Sequence, residues 1–247
     1  LVIGVADLPY LSNFTDLEAL AREPDVHVLQ LSSATERHLD ALILPGTKNT
    51  VEGLRFLKQH GLAALAHQVV NRGGTVVGLC GGYQMLGHRI LDPSGVESAV
   101  VEHEGLGLLD AMTVFLREKV TVQVSGSHRQ SGSAVDGYEV HMGRTDVNKT
   151  EPLLDVRSGP AEPLRPEGAA RSDGLVFGTY VHGLFDSAPF RRWFLNRLRA
   201  ARGWLPVTGS SPQSLDDDLD RLADFVQEHL DMAAIEHLIR EGVPEEV

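Results

Sequence analysis

Four short apolar runs constrain this chain most. Residues 1–5, 26–31, 41–44 and 75–79 are compact, rich in Val, Ile and Leu, and each is followed by a turn signal. Such runs read as strands buried on both faces of a parallel sheet. Parallel strands need crossovers, and one is visible. Leu62, Leu65, Ala66, Val69 and Val70 recur at the spacing of one helix face. Gly73-Gly74 then separates that helix from the next run. The alternation specifies an open α/β sheet with helices on both faces.

Composition narrows the function. The chain has 247 residues, 42% of them hydrophobic, with a net charge of −12 and a pI near 5.3. The length suits one large α/β domain or two small ones. The acidic balance argues against a nucleic-acid partner and against a polybasic membrane anchor. No apolar run approaches the roughly 18 residues of a membrane span. The one cysteine, Cys80, rules out an internal disulfide and a Cys-based zinc site. No His-Glu-x-x-His spacing occurs, so no metal site is expected. A lone thiol fits a reducing compartment, and the expected location is cytoplasmic. The chain opens on Leu1, inside a strand pattern, which reads as one domain of a longer protein.

The middle changes character. Residues 114–124 and 134–140 hold several β-branched side chains around a polar 126–132 stretch, and read as a small antiparallel excursion. Residues 151–174 hold four prolines and three glycines and read as a surface loop. A last strand over 175–181 runs into His182. A helix then starts near Pro189, buries Phe190, Phe194 and Leu198, and ends at Gly203. Phe190 and Trp193 read as helix core. From Ser214, a capping residue with Asp217 in position to reach back, apolar residues repeat at helical spacing, with a break near Asp231. The expected division is residues 1–205 as the main domain and 206–247 as a helical extension packing on it.

The chemistry concentrates at residues 75–87. A buried strand ends at Cys80 and Gly81-Gly82 open a helix at once, a strand-to-helix elbow with a nucleophile at its apex. The glycines let the backbone bend and let substrate approach, and a helix N-terminus favours a thiolate. A lone cysteine is commonly a buried structural residue. The flanking glycines and the strand end favour the nucleophile instead. A thiol nucleophile needs a base and an oxyanion hole. Of eleven histidines, His182 stands at the end of a buried strand, where open α/β sheets place their sites. His103 and His141 are the reserves. Gly46 and Thr47, in a loop after the third run, could turn backbone N–H groups toward an oxyanion, although the same loop also reads as a plain turn. No Gly-x-x-x-x-Gly-Lys-Ser/Thr pattern exists, so no ATP site is expected here.

Six segments together resemble the class I, triad-type, glutamine amidotransferase domain over nearly the whole chain. They are residues 11–16 (Leu-Ser-Asn-Phe-Thr-Asp), 44–50 (Leu-Pro-Gly-Thr-Lys-Asn-Thr), 78–87, 105–109, 137–143 and 178–185. The first two are similar, more narrowly, to the C-terminal glutaminase domain of the cobyric acid synthase family. The resemblance implies a flavodoxin-like, mostly parallel sheet. It implies that Cys80 attacks the glutamine side-chain amide, with His182 as base and then acid. Backbone near Gly46, Thr47 and Gly81 would hold the oxyanion, and Tyr83 and Gln84 would shape the glutamine pocket. Ammonia would pass to an N-terminal ATP-dependent synthetase domain, which would carry the ATP and Mg. No cofactor is expected on this chain.

Triad glutaminases carry Glu two residues after the histidine; here that residue is Leu184. The cobyric acid synthase branch is understood to lack this Glu, and the orienting role is left to Glu139, Asp186 or a backbone carbonyl. His141 reads equally as part of an active-site wall or ammonia exit and as part of a plain strand, whereas for Glu139 the plain strand is the stronger reading. Lys48 reads as an ion-pairing residue. The competing readings are the glutaminase subunit that amidates lipid II, a cysteine hydrolase on the same fold, and a vestigial regulatory domain.

Overall fold

A computed structural model describes residues 1–208 and 215–242. Two compact units result, Leu1–Gly209 and Ser210–Val247. Ser214 and the Asp217 side chain, expected to cap the last helical segment, lie outside the described residues.

The first unit is built on a six-stranded sheet. Strands β1 (Val2–Ala6), β2 (His27–Leu31), β3 (Ala41–Leu44) and β4 (Thr75–Leu79) pair in the order β2-β1-β3-β4, all parallel. Strand Val176–Thr179 pairs parallel to β4, and the short Ala169–Ala170 closes that edge antiparallel. This is the flavodoxin-like order, whose switch point lies between β1 and β3. The helices are α1 (Glu18–Ala21), α2 (Thr50–Gln59), α3 (Leu62–Asn71), α4 (Gly81–Leu86) and α5 (Ala188–Ala201), the last following the final strand. Alternate strand residues face opposite ways. Leu42, Leu44 and Val76 pack with Leu54, Leu57, Leu65 and Val69 of α2 and α3. Ala41, Ile43 and Val77 pack on the other face with Phe190, Phe194 and Leu198 of α5. Ser187 caps α5 by accepting from the Phe190 N–H, with Pro189 in its first turn. Phe190 is wholly buried and Trp193 packs partly buried against it.

Three expectations need correction. First, β2 is not buried on both faces. It is an edge strand with His27 and Gln30 exposed. Second, the antiparallel excursion is a seven-stranded sheet in its own right. Its spine is a hairpin of Ala111–His128 with Ala134–Val147, longer than its β-branched centre indicated. Third, residues 151–174 are not a loop. Leu154–Arg157 and Arg165–Glu167 are strands of the second sheet, and Leu153, Leu154 and Val156 are buried. Their prolines misled because Pro166 sits in a strand at the end of the sheet path, where a missing N–H costs no ladder bond.

The strand expected over 175–181 is divided. Val176–Thr179 belongs to the first sheet, while Val181–His182 pairs with Tyr138 and Glu139 in the second. The chain changes sheets at Tyr180, so His182 stands at the junction.

In the second unit, α6 (Leu215–His229) and α7 (Met232–Glu241) meet near the expected break, and Asp231 caps α7 through the Ala234 N–H. Among the described residues no helix is long and apolar enough to cross a membrane.

Candidate active site

The C-terminal ends of β1, β3, β4 and Val176–Thr179 all reach one edge of the first sheet. The loops leaving them converge there, as parallel topology requires.

Cys80 holds the apex after β4 with φ 49° and ψ −109°, a conformation that non-glycine residues rarely adopt. Strain of this kind turns the side chain outward at the top of the strand. The elbow closes because Gly82 presses on β3. A Cβ there would stand 1.9 Å from the Leu44 carbonyl oxygen. The Cys80 N–H donates to Thr179 O at 2.8 Å, which ties the Cys80 elbow to the strand that delivers His182.

His182 is 1% exposed. Its Nδ1 lies 2.7 Å from Asp16 Oδ2, and Asp16 Oδ1 accepts the Gly183 N–H at 2.9 Å. A carboxylate acceptor puts the hydrogen on Nδ1 and leaves Nε2 as the nitrogen that can serve the thiol. Burial pushes the imidazole pKa down, but hydrogen bonds to Asp16 and Cys80 outweigh it and raise the value to about 9. Tyr138 stacks on the ring at 5.2 Å, and the Asn13 amide nitrogen lies 3.0 Å from both ring nitrogens. The acid that orients His182 is therefore Asp16, not Glu139 or Asp186. Asp16 lies in a 3-10 turn, Phe14–Leu17, set up by Asn13 in the left-handed region. Sequence reasoning quoted Asp16 only as part of a motif. The available signal was its place just after β1, on the same sheet edge as Cys80.

The other sequence candidates divide. Thr47 and Gly81 meet beside Cys80, since a Gly81 Cβ would stand 3.4 Å from the Thr47 nitrogen. Gly46 lies under the imidazole, 3.3 Å from His182 Cε1 by the same measure. Gln84 lines the cavity beside Cys80, but protein groups hold its amide. It accepts from Thr50 Oγ1 at 2.8 Å and donates to Met142 O at 3.0 Å and to Tyr180 Oη at 3.2 Å. Tyr83 is buried behind the elbow, against Gly178 and Tyr180. His141 lines the cavity and stacks on Tyr180 at 3.7 Å. Glu139 is buried beneath it, bound to Arg165 at 2.8 and 2.9 Å. His103 lies on strand Glu102–Glu104 and bonds Val100 O. Lys48 lines the cavity and has no ion-pair partner among the described residues.

Behind His182, Glu167 accepts from Thr179 Oγ1 and from the Tyr180 N–H. It fixes the turn where the chain changes sheets. Burial pushes its carboxyl up to about 7.

A strained cysteine at a strand–helix elbow, facing a histidine held by a buried carboxylate, is the constellation of a thiol-nucleophile site on an α/β sheet. Comparison with known proteins gives the family. The chain belongs to the CobB/CobQ-like glutamine amidotransferase domain family, whose model matches residues 2–190. It is 42% identical over 253 residues to a cobyric acid synthase of Syntrophobacter fumaroxidans, covering 97% of this chain and 49% of the relative. It is 42% identical to that of Citrobacter koseri, covering 94% and 48%. The chain thus spans about half the length of the curated relatives it matches. Solved structures share the fold. A glutamine amidotransferase crystal structure matches with TM-score 0.55 at 18% identity, over 80% of this chain and 98% of that one. A PurLQS structure from Thermotoga maritima matches with TM-score 0.58 at 16% identity, over the same shares.

Proposed function

We propose that this chain is the glutaminase half of a cobyric acid synthase. It frees ammonia from glutamine through a thioester on Cys80. An ATP- and Mg-dependent synthetase half, N-terminal to it, uses that ammonia to amidate side-chain carboxylates of adenosylcobyrinic acid a,c-diamide. The observation that carries the reading is the Asp16–His182–Cys80 line, which supplies an orienting acid, a base and a nucleophile in hydrogen-bonding sequence.

The steps follow from these groups. The thiol proton passes to His182 Nε2, and the thiolate attacks the carboxamide carbon. Backbone N–H groups at Thr47 and Gly81 stabilise the oxyanion. The imidazolium, kept protonated by Asp16, gives its proton to the amide nitrogen. The C–N bond breaks, ammonia leaves and a thioester remains. Water then attacks that carbonyl while His182 takes its proton, and glutamate departs with the thiolate restored.

The test is alkylation by the glutamine-mimicking diazo-ketone 6-diazo-5-oxo-L-norleucine, read by intact mass and peptide mapping. A single adduct on Cys80, blocked by excess glutamine, supports the reading. No adduct at a thiol that still reacts with a small neutral alkylator would overturn it in favour of a vestigial domain or another hydrolase.

A further inference from the structure

A second cavity, about 250 Å³, shares no lining residue with the one beside Cys80. It lies where the end of the hairpin strand Ala111–His128, the turn before Val176–Thr179 and α5 meet. Trp193 and Arg197 stand one turn apart on α5, so both side chains reach the same side of the helix. The Arg197 guanidinium carbon sits 5.1 Å from the centre of the Trp193 ring, and the His128 ring packs on the same indole at 4.4 Å. Phe177 and Leu153, both buried, give the cavity an apolar wall.

Two donors in this cavity lack a good acceptor. The first is His128, only 2% exposed. The Ser131 N–H, whose direction the backbone fixes, donates to its Nδ1 at 3.1 Å, and the Ser131 hydroxyl lies 2.8 Å away. The ring hydrogen is therefore on Nε2. Nε2 has no protein partner among the described residues yet is open to water, so it faces the cavity that His128 lines. Burial and the nearby Arg197 charge push the imidazole pKa down to about 4, which keeps it a neutral N–H donor at ordinary pH. The second donor is Arg197, half-buried and paired with no carboxylate among the described residues. Its bonds to Gln130 Oε1 at 3.5 Å and Gly174 O at 3.4 Å stand at the limit of hydrogen bonding. The fold makes room for this cation, since a Cβ on Gly174 would stand 2.5 Å from Arg197 Nη2. The neighbouring charges are answered or screened. Arg171 pairs with Asp173 at 2.7 Å and Arg129 with Asp155 at 2.6 Å, while Glu151 is exposed at the rim. A half-desolvated cation without an anion is costly, and an anion entering the cavity offsets that cost.

We propose that this cavity binds a small organic carboxylate, its oxygens held by Arg197 and the His128 Nε2–H and its apolar body laid against Trp193 and Phe177. The apolar wall separates such a ligand from inorganic phosphate, whose oxygens all need donors. The site stands apart from the Cys80 chemistry and does not rest on the glutaminase reading.

The experiment uses the chain carrying Trp204→Phe, which leaves Trp193 as the only tryptophan, and follows its fluorescence. The probes are cyclohexanecarboxylate, its neutral isostere cyclohexanecarboxamide and inorganic phosphate. The carboxylate should give a saturable change and bind about ten- to a hundredfold tighter than the carboxamide, the worth of one charged hydrogen bond. It should also bind tighter than phosphate. Arg197→Met, which keeps an apolar stem beside Trp193, should abolish the preference over the carboxamide. Equal binding of carboxylate and carboxamide overturns the proposal without any further variant. So does the absence of a saturable response, phosphate binding as tight as that of the carboxylate, or an Arg197→Met chain that keeps the full preference. Alkylation of Cys80 by iodoacetamide, read by intact mass, should proceed unchanged in saturating cyclohexanecarboxylate. Protection of the thiol would place the ligand in the other cavity and overturn the assignment.

Discussion

Asp16 grips His182 at two points: one carboxylate oxygen lies 2.7 Å from the imidazole Nδ1, and the other accepts the N–H of the next residue, Gly183. A carboxylate fixed to both ring and backbone leaves the imidazole one orientation. Leu184, which stands where a triad glutaminase would carry its acid, is 1% exposed in the core. The acid enters the site from the other end of the chain, 166 positions before His182.

Replacing that acid should be costly. Asp16→Asn is expected to slow Cys80 acylation by glutamine by about 10²–10⁴, the range for loss of a base or its orienting acid. The pH profile should move as well. The His182 pKa is raised from 6.5 to about 9, so activity that needs imidazolium should fall as pH rises through about 9 in the wild type. In Asp16→Asn that limb should shift to lower pH. The pair's contribution to stability is complete below 6.5 and is lost as pH rises through about 9. The melting-temperature gap between wild type and variant should shrink over that window.

The two groups that face each other across the site should separate by assay. If the proposed synthetase half is joined to this chain, Cys80→Ser should lose glutamine-dependent amidation and keep activity with added ammonia. His182→Asn should retard thioester formation by about 10²–10⁴. A wild-type rate of thioester formation in that variant would assign the base to His141.

Gly82→Ala tests the elbow. Its Cβ would overlap the Leu44 carbonyl, so α4 must lift from β3. The expected loss is about 3 kcal/mol, at the upper end for overpacking, together with slower labelling of Cys80. Gly73→Ala meets nothing within 4 Å and has φ +83°. It should cost only about 1–2 kcal/mol through its backbone conformation. Urea titrations of the two variants give the comparison.

Glu167 supplies a stability prediction with the same sign as His182, in a lower pH window. Its folded pKa of about 7 lies above the ordinary 4.5. The native state holds the proton longer than the unfolded chain, so stability falls as pH rises from about 4.5 through about 7. Glu167→Gln removes that dependence. Its melting temperature relative to wild type should improve between pH 5 and pH 8, measured by calorimetry, by about the interval over which the wild type declines.

Much of the first sheet was legible because its signal is local. Residues 41–44 and 75–79 became strands over the expected spans, and the 62–70 periodicity became α3, Leu62–Asn71. The second sheet was less legible. The two strands of its hairpin are largely half-buried or exposed, its other strands are short, and one of those carries Pro166. At the site, Cys80 and His182 were visible because each ends a buried strand. The role of Asp16 was not, because nothing in residues 11–16 has a period. Its placement depends on a 3-10 turn entered through Asn13 in the left-handed region.

By itself the sequence determined the parallel sheet, the elbow at Cys80 and the delivery of His182 to the same edge, because hydrophobic burial is patterned over neighbouring residues and needs no distant partner to be read. Only the tertiary structure decided which acid holds the imidazole and which charges face the cavity. A hydrogen bond demands donor and acceptor within a few tenths of an ångström. Such positions are set where loops from separate strands meet, and no local pattern encodes that meeting.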